Sequence, residues 1–290
     1  MIPKLRGINI VKTIGNGAGS VVFEAVSEET GERLAVKSVT PKIVEEIQRQ
    51  GGTGQEEEAH QIVRQYLRQI RNEWRMGRRL TSHGAVHPGI PRMHRLYVER
   101  SLLGLTRGLH LVMDLAPGES LRKGRTHTID ELIGIYRQAA EIVRFIHLHG
   151  VIHADLKPQH LMVDEAGRVV VLDLGLACRR GGHTRKMAGS PDYMAPEQVA
   201  GWGVDERTDV FGLGATMFWA LAGRTIRSGV VGGSAMGTMQ LNKNSYHRSI
   251  REFNRDVPPV LEDIVMRSCA WSQDARPSVH EVITGLQRLS

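Results

Sequence analysis

The chain has 290 residues, of which 41% are hydrophobic and 24% charged, and a formal net charge of +7. This composition is ordinary for a globular protein. No apolar run reaches the roughly 20 residues that a transmembrane helix needs, so we expect a cytoplasmic protein without a membrane segment. The two cysteines, Cys178 and Cys269, form no CxxC pair and the basic residues never occur in a run of five, which argues against a zinc site, a disulfide framework and a nucleic-acid partner.

Strand and turn signals dominate the beginning of the chain. Residues 8–14, 21–26 and 33–39 are rich in β-branched residues and are separated by glycine turns, which predicts three strands. The first turn, residues 15–20, has the sequence Gly-Asn-Gly-Ala-Gly-Ser. Because a strand rather than a helix follows it, the turn fits neither the dinucleotide motif nor the GxxxxGK[ST] cradle. Its glycines either let backbone N–H groups approach a phosphate or form an ordinary tight turn.

A lysine and a glutamate occupy unusual positions in the next two elements. Lys37 lies in an apolar strand, where an unpaired charge is costly. Either a phosphate and Glu73 satisfy it, or this face of the strand is solvated. After an insertion at residues 41–60, a long helix is predicted from the capping-box spacing of Thr53 and Glu56. Its apolar stripe places Glu73 on the inward face and consists of Ile62, Val63, Tyr66, Leu67, Ile70, Trp74 and Leu80.

The pattern changes after two further predicted strands, residues 93–99 and 109–115. Pro117 and Gly118 break the chain there. We therefore expect one domain over residues 1–116 and a second, mainly helical domain over residues 117–290.

The second domain begins with a clear helix signal. Thr128 and Glu131 have capping-box spacing, and Gly150 is a natural helix end. Further helices are predicted at residues 208–222, 259–269 and 278–289. Residues 225–257 are glycine-rich and polar, and their pattern favours no element.

Three short motifs follow the capped helix in a fixed order. They are His-Ala-Asp-Leu-Lys-Pro-Gln-His at residues 153–160 (loop 153–160), Asp-Leu-Gly at residues 173–175 and Ala-Pro-Glu at residues 195–197. Together with the glycine turn and Lys37, this ordered set resembles the protein kinase family, and residues 208–224 resemble its bacterial serine/threonine members. The resemblance implies an α+β fold of two lobes: a small one with an antiparallel sheet and one long helix, and a larger, mainly helical one.

The resemblance also implies an activity. A protein kinase transfers a phosphoryl group from ATP to a protein hydroxyl with the help of Mg²⁺. Asp155 would accept the proton of the incoming hydroxyl, and Lys157 would neutralise the transferring group. Lys37, held by Glu73, would contact the α- and β-phosphates. Lysine at position 157 is typical of the branch that acts on serine and threonine.

A nucleotide site is implied by the same resemblance. Met113 stands at the gatekeeper position, and the backbone of Asp114 and Ala116 would bond the adenine edge. The other nucleotide contacts would come from Ile14, Gly15, Asn16, Gly17, Ser20 and Lys37 around the phosphates and from Val22, Ala35 and Met162 around the adenine ring.

Four residues depart from the family pattern: Ser20 in place of the third glycine and Leu174 in place of phenylalanine are mild changes, whereas His160 and Ala154 bear on the chemistry. Asp173 would bind Mg²⁺, but His160 stands where the family has asparagine as a second metal ligand. Imidazole suits transition ions better than Mg²⁺, which leaves three outcomes: activity with a single Mg²⁺ on Asp173, a preference for Mn²⁺, or nucleotide binding with slow or no transfer. We expect retained activity with an altered metal preference. Ala154 replaces the arginine that normally pairs with a phosphate on the activation segment, so activity should depend little on phosphorylation of Thr184.

The departures leave a second function open, a pseudokinase that binds nucleotide as a scaffold or allosteric module. A small-molecule transferase is a weaker alternative, because residues 189–197 resemble a platform for peptide substrates. By the same resemblance, Asp209 would accept hydrogen bonds from loop 153–160, and Glu197 and Arg276 would form a buried ion pair. The substrate, the regulator and the oligomeric state are not encoded in any pattern of this sequence.

Overall fold

The computed structural model describes residues 3–16, 19–43, 45, 56–81, 86–182, 191–226, 230–231, 240–241 and 249–289. The chain forms two compact units, Met1–Val86 with Pro91–Ala116 and His87–Ile90 with Pro117–Ser290. Sheet and helix are both present, which confirms the expected α+β class. Within the described ranges, no helix is long and apolar enough to cross a bilayer.

The first unit contains a five-stranded antiparallel sheet in the order β1-β2-β3-β5-β4. The strands are β1 (Ile8–Asn16), β2 (Val21–Ser27), β3 (Arg33–Val39), β4 (Met93–Arg100) and β5 (Thr106–Asp114). Side chains alternate between the two faces of such a sheet. One face buries the cluster of Phe23, Ala25, Leu34, Val36 and Val112.

The opposite face of the sheet is covered by helix α1 (Glu56–Leu80). The helix contributes Val63, Leu67 and Ile70 to a core that includes Ala35 and Leu111 of the sheet. Since Lys37 is two residues from Ala35, it points to this covered face. The alternative of a solvated strand face is therefore wrong. Thr53, the predicted cap of α1, lies outside the described residues.

Helices dominate the second unit. They are α2 (Ile129–Leu148), α3 (Pro196–Ala200), α4 (Glu206–Ala222), α5 (Pro259–Ser268) and α6 (Val279–Gln287). The predicted capping box of α2 is present: the Glu131 N–H donates to Thr128 Oγ1 (3.2 Å), and the Thr128 N–H donates to Glu131 Oε2 (2.8 Å).

Short strands of the second unit frame the loops between its helices. A three-stranded sheet has the order β6-β8-β9, β10 pairs with β7, and β11 pairs with β12. These strands are β6 (Glu119–Ser120), β7 (Val151–Ile152), β8 (Leu161–Val163), β9 (Val169–Val171), β10 (Cys178–Arg179), β11 (Val230–Val231) and β12 (Gln240–Leu241). The last two lie in the glycine-rich stretch for which the sequence favoured no element.

A buried ion pair braces the second unit. Arg276 donates two hydrogen bonds to Glu197, Nη1 to Oε1 at 2.6 Å and Nη2 to Oε2 at 2.8 Å. Thr208 donates a third bond to the same carboxylate at 2.8 Å. Both charged side chains are almost completely buried, at 0% and 1% exposure. The predicted brace is confirmed.

The start of α4 differs from the prediction by two residues. The helix begins at Glu206 because Asp205 caps it, accepting a hydrogen bond from the Arg207 N–H at 2.8 Å. The sequence analysis took Thr208 as the first residue and so missed the cap. An aspartate with a side-chain acceptor is one of the strongest N-cap residues.

Candidate active site

The glycine turn connects β1 to β2. Gly15 lies opposite Val22 and Asn16 opposite Val21 in the strand pairing, while Ser20 is buried and Ile14 exposed. A Cβ added to Gly19 would overlap the ring of Tyr66 on α1. Glycine at position 19 therefore allows the helix to approach the turn closely. Gly17, another residue assigned to the nucleotide phosphates, lies outside the described residues.

Lys37 and Glu73 connect the sheet to α1. The Lys37 ammonium donates to Glu73 Oε2 at 2.7 Å. The lysine side chain is 14% exposed and the glutamate 2%. A carboxylate so deeply buried needs a cation beside it, which explains its inward position on the helix. The predicted ion pair is confirmed, whereas its contact with phosphates stays a prediction.

Residues assigned to the adenine pocket share a face of the sheet with Lys37. Val22 lies directly opposite Lys37, and Ala35 lies opposite Met113. Directly opposed residues on antiparallel strands point to the same side. Met162 belongs to the second unit, on β8, so its part in enclosing adenine stays a prediction.

The end of β5 already has local hydrogen-bond partners. The Asp114 N–H donates to the Arg92 carbonyl at 3.0 Å. The Asp114 carboxylate accepts from the Arg92 N–H at 3.0 Å and lies 2.6 Å from His94 Nε2. Because its N–H is engaged, Asp114 can offer only its carbonyl to an adenine amino group. A backbone donor to adenine would have to come from Ala116.

Asp209, in the first turn of α4, anchors loop 153–160. It accepts hydrogen bonds from the His153 N–H (2.8 Å) and the Ala154 N–H (2.7 Å), as predicted. His147 Nε2, at 2.8 Å, is a third partner. Burial alone would raise the pKa of Asp209, but the hydrogen bonds from His147 and His153 outweigh it and lower this pKa. The carboxylate is therefore ionised at neutral pH and holds the loop.

Among the described residues, two that are not glycine adopt the left-handed backbone region: Ala154 (φ 61°) and Asp173 (φ 67°). This region costs a residue with a Cβ about 1 kcal/mol. Ala154 is held on both sides, since its N–H donates to Asp209 and its carbonyl accepts from Gln198 Nε2 at 2.8 Å. The Gly175 N–H donates to Asp173 Oδ1 at 3.0 Å. Contacts from Asp209 and Gln198 thus hold the strained backbone next to Asp155, and Asp173 is itself a strained residue.

A carboxylate and an ammonium lie together in loop 153–160. Lys157 Nζ donates to Asp155 Oδ2 at 3.0 Å, and the two side chains are 19% and 10% exposed. His153 supports the loop: its Nε2 lies 3.0 Å from the Leu172 carbonyl, and its Nδ1 accepts from the Asp155 N–H at 3.3 Å. The loop therefore presents a proton acceptor and a cation at one place.

His160 faces Asp173 with its unprotonated nitrogen. Its Nδ1 lies 2.8 Å from the Asp155 carbonyl, which only accepts, so Nδ1 carries the proton. Burial lowers the pKa of His160 to about 4, so the ring is neutral at pH 7. The Nε2 lone pair then faces Asp173 Oδ2 at 3.6 Å. Two such acceptors at this separation can share a cation.

Asp173 and His160 differ in the kind of metal ion that they bind best. The Asp173 carboxylate is a hard oxygen ligand of the kind that Mg²⁺ prefers, whereas the His160 imidazole suits a transition ion. The described part of the chain contains no group of three or more His, Cys, Asp or Glu side chains that could hold a metal. An ion here would take its other ligands from phosphate oxygens and water.

Three supporting residues were missed by the sequence analysis. Gln198 fixes the Ala154 carbonyl, His147 bonds to Asp209, and Tyr66 packs over Gly19. Tyr66 had been assigned only to the apolar stripe. No local pattern indicates the first two contacts, which join residues 44 and 62 positions apart.

Comparisons with known proteins agree with this geometry. A family profile described as "Protein kinase domain" matches residues 8–285. The rice protein "CBL-interacting protein kinase 20" is 31% identical over 73% of this chain and 44% of its own length. "Serine/threonine-protein kinase PrkC" of Bacillus subtilis is 26% identical over 63% of this chain and 28% of its own. "Serine/threonine-protein kinase PknA" of Mycobacterium tuberculosis is 28% identical over 73% of this chain and 46% of its own. The chain thus spans less than half the length of each of these three relatives.

Proposed function

Because the chain belongs to the protein kinase family, we propose that it transfers the γ-phosphoryl group of ATP to serine or threonine hydroxyls of a protein substrate. The observation that carries this proposal is the Asp155–Lys157 pair at 3.0 Å, on a loop whose backbone is fixed by a buried aspartate. Phosphoryl transfer needs positioned charges more than covalent chemistry. The names of the bacterial relatives, which are serine/threonine kinases, support the choice of hydroxyl.

The proposed step assigns one task to each charged side chain. The hydroxyl oxygen of the substrate attacks the γ-phosphorus, its proton passes to Asp155, and the bond from phosphorus to the oxygen of ADP breaks. Lys157 neutralises negative charge on the group in transfer. Lys37 holds the α- and β-phosphates, and Glu73 keeps its ammonium in position.

Asp173 would hold the metal ion, with His160 as a second ligand. A bound divalent ion would neutralise charge on the β- and γ-phosphates. A neutral imidazole whose Nε2 faces Asp173 at 3.6 Å supports our proposal that Mn²⁺ serves better than Mg²⁺, since imidazole is a better ligand for a transition ion.

A second candidate function is a pseudokinase that binds nucleotide and does not transfer its phosphate. The specific observation in its favour is again His160, because a weaker second metal site would slow the chemistry while leaving nucleotide bound. Lys37, Asp155, Lys157 and Asp173 are all present, which favours the enzyme over the scaffold.

Transfer of radiolabel from ATP separates the two functions. The chain is incubated with labelled ATP and a generic basic protein, in Mg²⁺ and in Mn²⁺, beside the variant Asp155→Asn. If the chain is a kinase, serine or threonine residues of the basic protein become labelled, and this label is absent with the variant. Nucleotide binding without label in either metal would establish the scaffold instead.

The metal proposal has its own variant, His160→Asn. Asparagine offers an oxygen ligand, so the variant should shift the preference from Mn²⁺ toward Mg²⁺. The ratio of rates in the two ions, measured over a range of concentrations, reports this shift. An unchanged ratio, or a wild-type chain that is no more active in Mn²⁺ than in Mg²⁺, would contradict the assignment of His160.

A further inference from the structure

Helix α1 carries six arginines along its outward face. They are Arg64, Arg68, Arg71, Arg75, Arg78 and Arg79. From Arg64 to Arg78 the steps are three or four residues, and Arg79 lies four residues after Arg75, so all six fall within an arc of roughly 100° over a length of about 22 Å. Five of the side chains are exposed, and Arg71 is half-buried. The arginines are scattered along the sequence, and the helix gathers them into one stripe, the arginine stripe.

Carboxylates are scarce along the part of α1 that carries the arginine stripe, although the first turn of the helix contains Glu56, Glu57 and Glu58. Residues 61–80 contain a single carboxylate, Glu73, and this residue points inward to Lys37 at 2.7 Å. Within the described part of the chain, no carboxylate forms an ion pair with Arg64, Arg68 or Arg75. These three exposed arginines therefore present concentrated positive charge to the surroundings.

An exposed apolar tip lies at the turn between β4 and β5. Leu102, Leu103 and Leu105 are exposed at 107%, 87% and 67%. The turn is well formed, because the Ser101 N–H donates to the Leu105 carbonyl at 2.8 Å and Arg100 Nη1 donates to the Gly104 carbonyl at 3.1 Å. A fixed turn that holds three leucines away from the core is a feature of interaction surfaces. We refer to residues 102–105 as the leucine tip.

The leucine tip and the arginine stripe belong to one surface. Arg71, in the middle of the stripe, donates through Nη2 to Thr106 Oγ1 at 2.8 Å, and Thr106 directly follows the tip. Arg100 and Arg107 flank the tip and are exposed. The carboxylate nearest to the tip in sequence, Glu99, lies 3.8 Å from His110.

The combination of exposed arginines and leucines indicates which kind of partner binds this surface. The apolar face of α1 is not available to a partner, because Val63, Leu67 and Ile70 are buried against the sheet. A nucleic acid would pair with the arginines but would leave the three leucines in water. An anionic bilayer offers phosphates to the arginines and an acyl region to the leucines. We propose that the first unit docks on an anionic membrane surface, with the leucine tip inserted and the arginine stripe on the lipid phosphates.

Sedimentation with vesicles tests the proposal on the full chain. We expect binding to vesicles of equimolar phosphatidylcholine and phosphatidylglycerol and little binding to vesicles of phosphatidylcholine alone. The triple variant Arg64→Gln/Arg68→Gln/Arg75→Gln keeps good helix formers and should lower the partition coefficient roughly a hundredfold, at about fivefold per arginine. Arg71 is left intact because it bonds to Thr106.

Two further variants provide the matched controls. Arg251→Gln/Arg255→Gln/Arg288→Gln removes three exposed arginines of the second unit, so it lowers the net charge from +7 to +4 exactly as far as the first triple variant does, and it should bind almost as well as the native chain. Leu102→Ser/Leu103→Ser leaves the charge unchanged and should weaken vesicle binding at least roughly tenfold, because two leucines no longer leave water. Thermal melting confirms that each variant is folded.

Each other outcome overturns the proposal. Equal binding to neutral and anionic vesicles would show that the charge of the lipids does not matter for docking. Equal losses in the two arginine variants would show that net charge, not the stripe, matters. Unchanged binding by the leucine variant would exclude insertion, and loss of duplex DNA binding in the stripe variant without loss of vesicle binding would identify a nucleic acid as the partner. The proposal does not depend on phosphoryl transfer.

Discussion

In each unit, a buried carboxylate meets a cation from a distant part of the chain. In the first unit, Lys37 meets Glu73 at 2.7 Å, and in the second, Arg276 meets Glu197 at 2.6 and 2.8 Å. Both carboxylates are almost fully buried. The cations differ, since the Lys37 side chain is 14% exposed and that of Arg276 is 0% exposed.

The protein itself satisfies every donor of Arg276. Besides the two bonds to Glu197, its guanidinium donates to the carbonyls of Ala270 (2.7 Å), Arg207 (3.0 Å) and Trp271 (3.1 Å). These five bonds exhaust the five N–H groups of an arginine. A sealed pair of this kind holds structure together and has no capacity for a ligand. The Lys37 pair keeps contact with the exterior, which suits the proposed contact of Lys37 with a phosphate.

Replacement of Arg276, the fully buried cation, should have the largest effect on stability. Arg276→Met leaves Glu197 charged and buried without its partner, which typically costs about 3–5 kcal/mol. Urea unfolding measures the loss. The double variant Glu197→Met/Arg276→Met leaves no buried charge and should recover much of it. A single variant that unfolds at the same urea concentration as the native chain would show that the pair is not a brace.

Replacement of Lys37, the partly exposed cation, should affect activity more than stability. Lys37→Met removes a charge from the proposed phosphate site and should lower the rate of transfer by about 10²–10³-fold, with a smaller loss of unfolding free energy than Arg276→Met causes. Rates and urea midpoints of the two variants are compared directly. The distinction between the pairs fails if both variants lose stability equally while Lys37→Met keeps its rate.

Asp209 extends the comparison to a buried carboxylate that holds backbone groups. Asp209→Asn places an NH₂ group against N–H donors of loop 153–160 and should cost about 1–3 kcal/mol. The pKa of Asp209 is lowered in the folded chain, so its contribution is present above the unfolded value of about 4 and is lost as the pH falls through the folded value. Melting curves from neutral to acidic pH should show this loss in the native chain and not in the variant.

The smallest effect on the rate of transfer is expected from a change in the activation segment. Ala154 offers no guanidinium to a phosphate on the activation segment, so Thr184→Ala should leave the rate of transfer unchanged. Phosphatase treatment of the native chain is the matched control and should also have no effect. A loss of activity in either experiment would mean that another cation takes the place of the absent arginine.

The sequence predicted the elements and the pairs that follow from local periodicity or from the family resemblance. Glu73 was placed inward by the spacing of its helix, and the capping box of Thr128 and Glu131 is a local signal. The bonds from Gln198 to Ala154 and from His147 to Asp209 could not be predicted, because they depend on how separate helices pack. The state of His160 depends in the same way on burial, which no spacing reveals.

The arginine stripe is a feature that the search of the sequence for basic runs did not find. A search for runs of five basic residues finds none, so the sequence analysis argued against a nucleic-acid partner and did not identify the stripe. Most of these arginines are three or four positions apart, and only a continuous helix brings them together. The neighbouring leucine tip adds information that no helical pattern contains, since Thr106 meets Arg71 across 35 residues of sequence.

The central claim is that Lys37 lies at the phosphates of a bound nucleotide. An acyl phosphate of ATP transfers its acyl group to a lysine beside those phosphates, and mass spectrometry identifies the modified residue. We predict labelling of Lys37 that excess ATP prevents and that Lys37→Arg abolishes. Labelling of other lysines alone, or labelling of Lys37 that ATP does not diminish, would contradict the account.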